Sequence, residues 1–242
     1  MADIIYLFVH AYSNGCNAIL AGTVSSHIEN SCTRYGEPYR WNCEREEWLE
    51  IVSIGILVYP QVEELDFVGP FEVLSYINKI RPDSTTVMLV AENADPICAF
   101  NGMRIIPDTT LTDCPALDVV VVPGGKGRVE AMKNTGIKEF IHKQMACAQY
   151  VTSVCTGAFL LAEAGLLSGR KATTYHTAFA ELEAYSVQVL SAKVVQDGKI
   201  ITAGGVSSGL ELGLYVLKQL YGLTIAQEVA DKIEYQVDVT DL

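Results

Sequence analysis

Residues 150–167, YVTSVCTGAFLLAEAGLL, decide the fold. The first five are of the β-branched and aromatic kinds that fill a buried strand, and the remainder reads as a helix stopped by Gly165 and Gly169. Only Cys155 stands where one becomes the other. Upstream, LDVVVVPGG (117–125) is a central strand of four consecutive valines ended by Pro123-Gly124-Gly125, and residues 130–149 supply a returning helical region. Further out, IVSIGILVYP (51–60) is an apolar run of strand length stopped by Pro60. LDFVGPFEVLSYINKI (65–80) then predicts a helix whose apolar stripe is Leu65, Val68, Val73, Leu74 and Ile77.

The same alternation continues on both sides. TTVMLVAE (85–92) reads as a strand, and ICAFNGMRIIPD (97–108) as a hairpin about Asn101-Gly102. KATTYHT (171–177), VQVLSAKVVQ (187–196) and GKIITAGG (198–205) give further strands, with a second hairpin turn at Asp197-Gly198. Residues 207–222 and 224–236 close the chain as helices. Strands alternating with helices at this spacing predict an α/β domain over residues 51–242. Its sheet should be mostly parallel, covered on both faces, with ligands bound where the strand C-termini open.

Residues 1–50 have no sustained strand or helix period before CEREEWLE (43–50), and form a separate N-terminal extension. A small ordered cap, a disordered arm and sequence read from an upstream start are all open for it. Seven cysteines, an odd number with no CxxC pair, fit neither a disulfide scaffold nor a zinc site, so reduced thiols in the cytoplasm are expected and no metal is predicted. A net charge of -12 disfavours a nucleic-acid groove or an anionic membrane surface. No run of about 18 apolar residues is present, and Asp3 stands where a secretory signal would be basic. A soluble protein is expected; the composition says nothing of substrate.

A cysteine at a strand tip before a helix is expected to be exposed by the tight turn and to have its thiolate stabilised by the helix N-terminus. Cys155 is therefore the candidate nucleophile, flanked by the small Thr156 and Gly157; Cys98, Cys114 and Cys147 read as bland core cysteines. Of the four histidines, His10, His27, His142 and His176, only His176 lies near a strand end, where it lines the pocket or merely opens a surface helix. Asp66 is the better proton partner: shielded by Leu65, Phe67 and Pro70, its carboxyl could hold a raised pKa, although Asp is also a common helix cap. Gly124 and Gly125 would offer backbone N–H groups to developing negative charge.

Two other motifs are set aside. Gly124-Gly125-Lys126-Gly127 lacks the ending of a nucleotide-binding P-loop, so no nucleotide is predicted. Gly205-Val206-Ser207-Ser208-Gly209 matches the serine-hydrolase elbow, but that fold places its histidine after the serine and the last one here is His176. The small residues are instead expected to let a helix pack closely.

EELDFVGPFEVL, DCPALDVVVVPGG, YVTSVCTGAFLLAEAGLLSGRKATT and DGKIITAGGVSSGLELGL, with the closing IEYQ, occur in that order across residues 51–236. On these blocks the chain resembles the ThiJ/PfpI superfamily, relatives of class I glutamine amidotransferases, and within it the isonitrile hydratase branch. The resemblance implies a flavodoxin-like three-layer sandwich, usually a homodimer, with the cysteine of a nucleophile elbow as catalyst and no cofactor. In that branch the aspartate of LD-x-x-GP and the threonine after the cysteine assist it, which implies Cys155, Asp66 and Thr156 here. The peptidase branch has histidine where this chain has Thr156, and the hydratase pattern has histidine after ATT where this chain has Tyr175 and then His176. The activity implied is hydration of an isonitrile to an N-substituted formamide. The alternatives are another cysteine enzyme of the superfamily, acting on reactive carbonyls, glycated groups or amide bonds, and a non-catalytic redox sensor oxidised at Cys155.

Overall fold

Four consecutive valines can be fully buried only in a strand flanked on both edges and covered on both faces, and Val119–Val122 is such a strand. The computed structural model describes residues 31–34, 37–42 and 47–242, with side chains from Ile51 onward. The chain divides into two compact units, Met1–Ile51 and Val52–Leu242. In the first, β1 (Ser31–Arg34), β2 (Glu37–Asn42) and β3 (Glu47–Glu50) form an antiparallel sheet, with Trp41 opposite Trp48. The readings of residues 1–30 lie outside the described residues, as do His10, His27 and Cys16.

The second unit begins with β4 (Val52–Leu57), α1 (Glu64–Tyr76) and β5 (Thr85–Ala91). The hairpin β6 (Ile97–Cys98) and β7 (Arg104–Ile105) turns through Gly102 at φ +101°, as the Asn-Gly pair predicts. Then come β8 (Thr109–Thr110), β9 (Val119–Val122), α2 (Arg128–Ala131) and α3 (Thr135–Cys147). Asn134 divides the last two by capping α3: its side chain accepts from the Ile137 N–H. β10 (Tyr150–Val154) leads through a 3-10 turn into α4 (Ala158–Glu163). The chain closes with β11 (Lys171–Ala172), α5 (Phe179–Glu183), β12 (Gln188–Val189), β13 (Val194–Asp197), β14 (Ile200–Ala203), α6 (Ser208–Tyr221) and α7 (Leu223–Lys232).

The central sheet runs β13-β14-β10-β9-β4-β5-β8, parallel throughout except for the β13–β14 hairpin. Its inner five strands, numbered as they occur, have the order 2-1-3-4-5 of a flavodoxin-like fold, so the order reverses between β4 and β9. Helices α1, α6 and α7 pack together as one layer, and α2 to α5 as the other. At such a reversal the crossovers diverge to opposite faces and leave a crevice at the strand C-termini.

Two sequence expectations are corrected. Of the expected stripe Val73, Leu74 and Ile77 are buried, but Leu65 and Val68 are exposed and Asp66, Phe67 and Pro70 are buried in their place, because the face set by Pro70 and Val73 meets glycines of α6. Residues 171–177 do not extend the central sheet: only Lys171 and Ala172 are strand, paired with β12 in a separate ribbon. Thr173 and Thr174 are diverted into hydrogen bonds across the sheet end, the Thr173 N–H to Thr202 Oγ1 and the Thr174 hydroxyl to the Cys155 carbonyl.

The expectation that small residues after β14 allow close helix packing is met. A Cβ at Gly209 would stand 2.9 Å from Pro70 Cδ and 3.1 Å from the Leu65 carbonyl oxygen, and one at Gly213 would stand 2.7 Å from Val73 Cβ. Gly213→Ala ordinarily raises helix stability by about 0.5–1 kcal/mol, but here the added methyl meets the stem of a fully buried valine. Overpacking of this kind costs about 1–3 kcal/mol, so the variant should unfold at a lower urea midpoint with an unchanged slope.

Candidate active site

Three loops leave neighbouring strands at the C-terminal edge and converge: residues 59–63 after β4, 123–127 after β9 and 155–157 after β10. Val62 and Gly125 form an antiparallel bridge, the Glu63 N–H donates to the Gly124 carbonyl at 3.1 Å, and the Gly127 N–H donates to the Gln61 carbonyl at 3.0 Å. Side chains are excluded at the contact. A Cβ on Gly124 would lie 2.5 Å from Thr156 Oγ1, and one on Gly157 would overlap the Val122 carbonyl oxygen. Gly125, at φ +124°, has the Glu63 backbone nitrogen where a Cβ would need room.

Cys155 opens the 3-10 turn at φ +54°, a left-handed conformation that costs a non-glycine residue on the order of 1–3 kcal/mol. The fully buried Thr174 hydroxyl holds it by donating to the Cys155 carbonyl at 2.7 Å. Asp66 lies in the first turn of α1, so it is not the cap; that position is Glu63. Its carboxyl is fully buried. Oδ2 accepts the Gly124 N–H at 2.9 Å, while Oδ1 is buried without a hydrogen-bond partner.

A carboxylate withdrawn from solvent and given few donors binds its proton tightly. Burial raises the Asp66 pKa to about 7, the Gly124 bond opposes the rise and the nearby Glu63 charge adds to it. The Cys155 side chain interacts with the same carboxyl. Burial, then the Asp66 charge, push the Cys155 thiol up to about 12, against the backbone N–H and hydroxyl of Thr156, which favour the sulfur anion. Thr156 Oγ1 accepts the Gly125 N–H at 3.1 Å, which leaves the hydroxyl proton for the sulfur. The two acids form a coupled pair in which each charge disfavours the other.

Cys155, Asp66, Thr156, Gly124 and Gly125 are thus brought together, but three details are corrected. Cys155 is only 6% exposed, and its thiol is held protonated instead of being depressed, because burial outweighs a helix start made of one 3-10 turn and six α-helical residues. Gly124 and Gly125 do not present free N–H groups to a substrate: both amides are engaged, one by Asp66 and one by Thr156. His176 is exposed at the start of a 3-10 turn, its ring 4.6 Å from that of Tyr175, outside the bonded cluster. In the hydrolase-like motif Ser207 is exposed and precedes α6.

Tyr59 and Thr174 were not singled out from the sequence. The buried Tyr59 hydroxyl donates to the Pro123 carbonyl at 2.7 Å, and its ionisation is disfavoured by burial and by the charges of Asp66 and Cys155. A strand ending Tyr-Pro, and the ATT run after the elbow helix, were the available signals. Tyr59 also lines a cavity of about 330 Å³ with Pro60, Asn93, Ile97 and Asn134; neither Cys155 nor Asp66 reaches it. Among the described residues no three His, Cys, Asp or Glu side chains converge as metal ligands, and no helix is long and apolar enough to cross a membrane.

A doubly wound sheet with a left-handed cysteine after its fourth core strand and a buried carboxyl after its first defines a class, and comparison with known proteins gives it a name. The chain belongs to the DJ-1/PfpI family, whose sequence profile matches residues 52–219. It is 40% identical over 187 residues to the isonitrile hydratase of Pseudomonas putida, covering 76% of this chain and 78% of that one. Its structure is similar to a ThiJ/PfpI family protein from Pseudomonas syringae, with a TM-score of 0.72 and 33% identity over 79% of this chain and 78% of the other. Drosophila melanogaster DJ-1beta gives a TM-score of 0.68 at 25% identity over 77% of this chain and all of the other.

The folded chain holds the Asp66 proton to about pH 7, whereas an unfolded aspartate releases it near 3.8. Between these values the folded state binds more protons, so stability falls as pH rises through the window. Asp66→Asn removes that penalty. Its unfolding free energy should match or modestly exceed that of the unaltered protein near pH 4, with the margin widening to about 4 kcal/mol by about pH 8 and the melting temperature rising with it. Melting curves that stay parallel across pH would contradict the carboxyl assignment.

Proposed function

We propose that this protein hydrates an isonitrile to an N-substituted formamide, with Cys155 as nucleophile, Asp66 as proton carrier and Thr156 as donor to the sulfur. The observation that carries the reading is a fully buried carboxyl with one unbonded oxygen, coupled to a thiol on a left-handed elbow. The 40% identity to an isonitrile hydratase supports the choice of substrate class.

In this reading sulfur bonds to the terminal isonitrile carbon as Asp66 takes the thiol proton and passes it to that carbon, giving an S-linked thioimidate, R–N=CH–S. Water adds to the same carbon; Asp66 takes one of its protons and passes it to the nitrogen, giving R–NH–CH(OH)–S, whose hydroxyl proton is the one sulfur later regains. The carbon–sulfur bond then breaks, sulfur regains its proton, and R–NH–CHO departs. No oxidant or reductant is needed. A carboxyl with a pKa of about 7 suits both directions of transfer, since it gives and takes protons near neutral pH. The thiol, protonated at rest, becomes nucleophilic only as Asp66 removes its proton, and Thr156 shares the developing negative charge.

The burial of Cys155 weighs against a redox sensor, whose thiol must be reached by the oxidant. We extend the proposal to a cytoplasmic homodimer acting on a small molecule without a cofactor, as the family resemblance implies. Incubation with a simple aliphatic isonitrile, followed by proton NMR for the formyl hydrogen, should show formamide from the unaltered protein. Cys155→Ala should lower the rate by at least about 10³-fold, as expected when the nucleophile is lost. Consumption of glyoxal with no formamide would move the assignment to a carbonyl-directed enzyme of the same family.

A further inference from the structure

Two hydrogen bonds already described fall on one peptide unit. Tyr59 Oη donates to the Pro123 carbonyl at 2.7 Å, and the Gly124 N–H, the other end of the same peptide plane, donates to Asp66 Oδ2 at 2.9 Å. A peptide group is planar and rotates as one body, so fixing its oxygen aims its N–H. Withdrawal of electron density at the carbonyl oxygen also makes the N–H a stronger donor, as in any hydrogen-bonded chain.

We propose that Tyr59 is a positioning residue for the proton carrier: its hydroxyl orients and polarises the Pro123–Gly124 peptide, whose N–H hydrogen-bonds the Asp66 carboxyl. This inference rests on the reading of Cys155 and Asp66 as the working pair and adds a member that touches neither reacting atom. The geometry leaves little redundancy. The Gly124 N–H is the one backbone donor to the carboxyl, whose other partner is the Cys155 thiol of the working pair itself. The phenol is itself buried and makes one hydrogen bond, to Pro123. Side chains cannot replace the link, because a Cβ on Gly124 would collide with Thr156.

The ionisable groups around the carboxyl are few. Glu63 approaches from the start of α1, Cys155 from the turn after β10 and Tyr59 from the end of β4. Arg128 of α2 acts on the phenol and is itself paired with Glu181. Since the Gly124 bond favours the carboxylate, weakening it should make Asp66 hold its proton to higher pH.

The test reads Asp66 directly and needs no substrate. The carbon-13 carboxyl resonance of Asp66, assigned by its absence in Asp66→Asn, is titrated in the full-length protein. In Tyr59→Phe the inflection near pH 7 should rise by roughly half a pH unit, the worth of one weakened hydrogen bond. A fluorotyrosine placed at position 59, a stronger donor of the same shape, should move it the other way. Loss of packing alone would lower the melting temperature without this opposed pair of shifts. Superimposable titrations, or both variants moving in one direction, would overturn the proposal. Should Tyr59→Phe fail to fold, the sign of the fluorotyrosine shift decides. If wild type makes no formamide yet the inflections move as stated, the substrate reading fails and the relay stands; turnover with an unmoved inflection overturns the relay and leaves the substrate reading intact.

Discussion

Backbone must touch backbone at the C-terminal edge of the sheet, and this steric requirement governs the site. The loops after β4, β9 and β10 approach until only hydrogen atoms fit at Gly124, Gly125 and Gly157. The closeness delivers the Gly124 amide to a buried carboxyl and the Gly125 amide to a hydroxyl. A larger residue at any of the three would separate the loops, and the shared environment that gives the acid pair its unusual proton affinities would be lost. The pairing of the two acids is in this sense a by-product of glycine placement.

Burial decides the character of the two acids. Had the elbow exposed its sulfur, the cysteine would resemble a redox-active thiol. Enclosed beside a carboxyl, it is one half of a coupled pair of acids in which each charge disfavours the other. The left-handed turn at Cys155 and the Thr174 hydroxyl that clamps its carbonyl keep the sulfur in this enclosure against the local preference of the chain.

Much of this was legible in the residue order. Strand periodicity in 51–60, 117–125 and 150–154 places β4, β9 and β10, and the strand-to-helix junction singles out Cys155 and Asp66 because sheet topology forces those junctions to one edge. What escaped depends on three-dimensional closure. Nothing local distinguishes Gly124 as a donor to a substrate from Gly124 as a donor to Asp66, since both need the same exposed N–H. Tyr59 reads as an ordinary strand-end aromatic until the Pro123 carbonyl is seen opposite its hydroxyl. The departure of Leu65 and Val68 from the apolar stripe of α1 has a related cause: hydropathy cannot see that Gly209 and Gly213 draw the Pro70–Val73 face inward and leave Leu65 outside.

The seam between α1 and α6 reaches further than packing. Gly209 approaches the carbonyl of Leu65, the residue adjoining Asp66, so the depth at which α1 seats fixes how far the carboxyl extends toward the sulfur. Natural variation or deliberate engineering along the back of α6 could therefore retune reactivity from a distance, with every residue that meets the substrate left untouched.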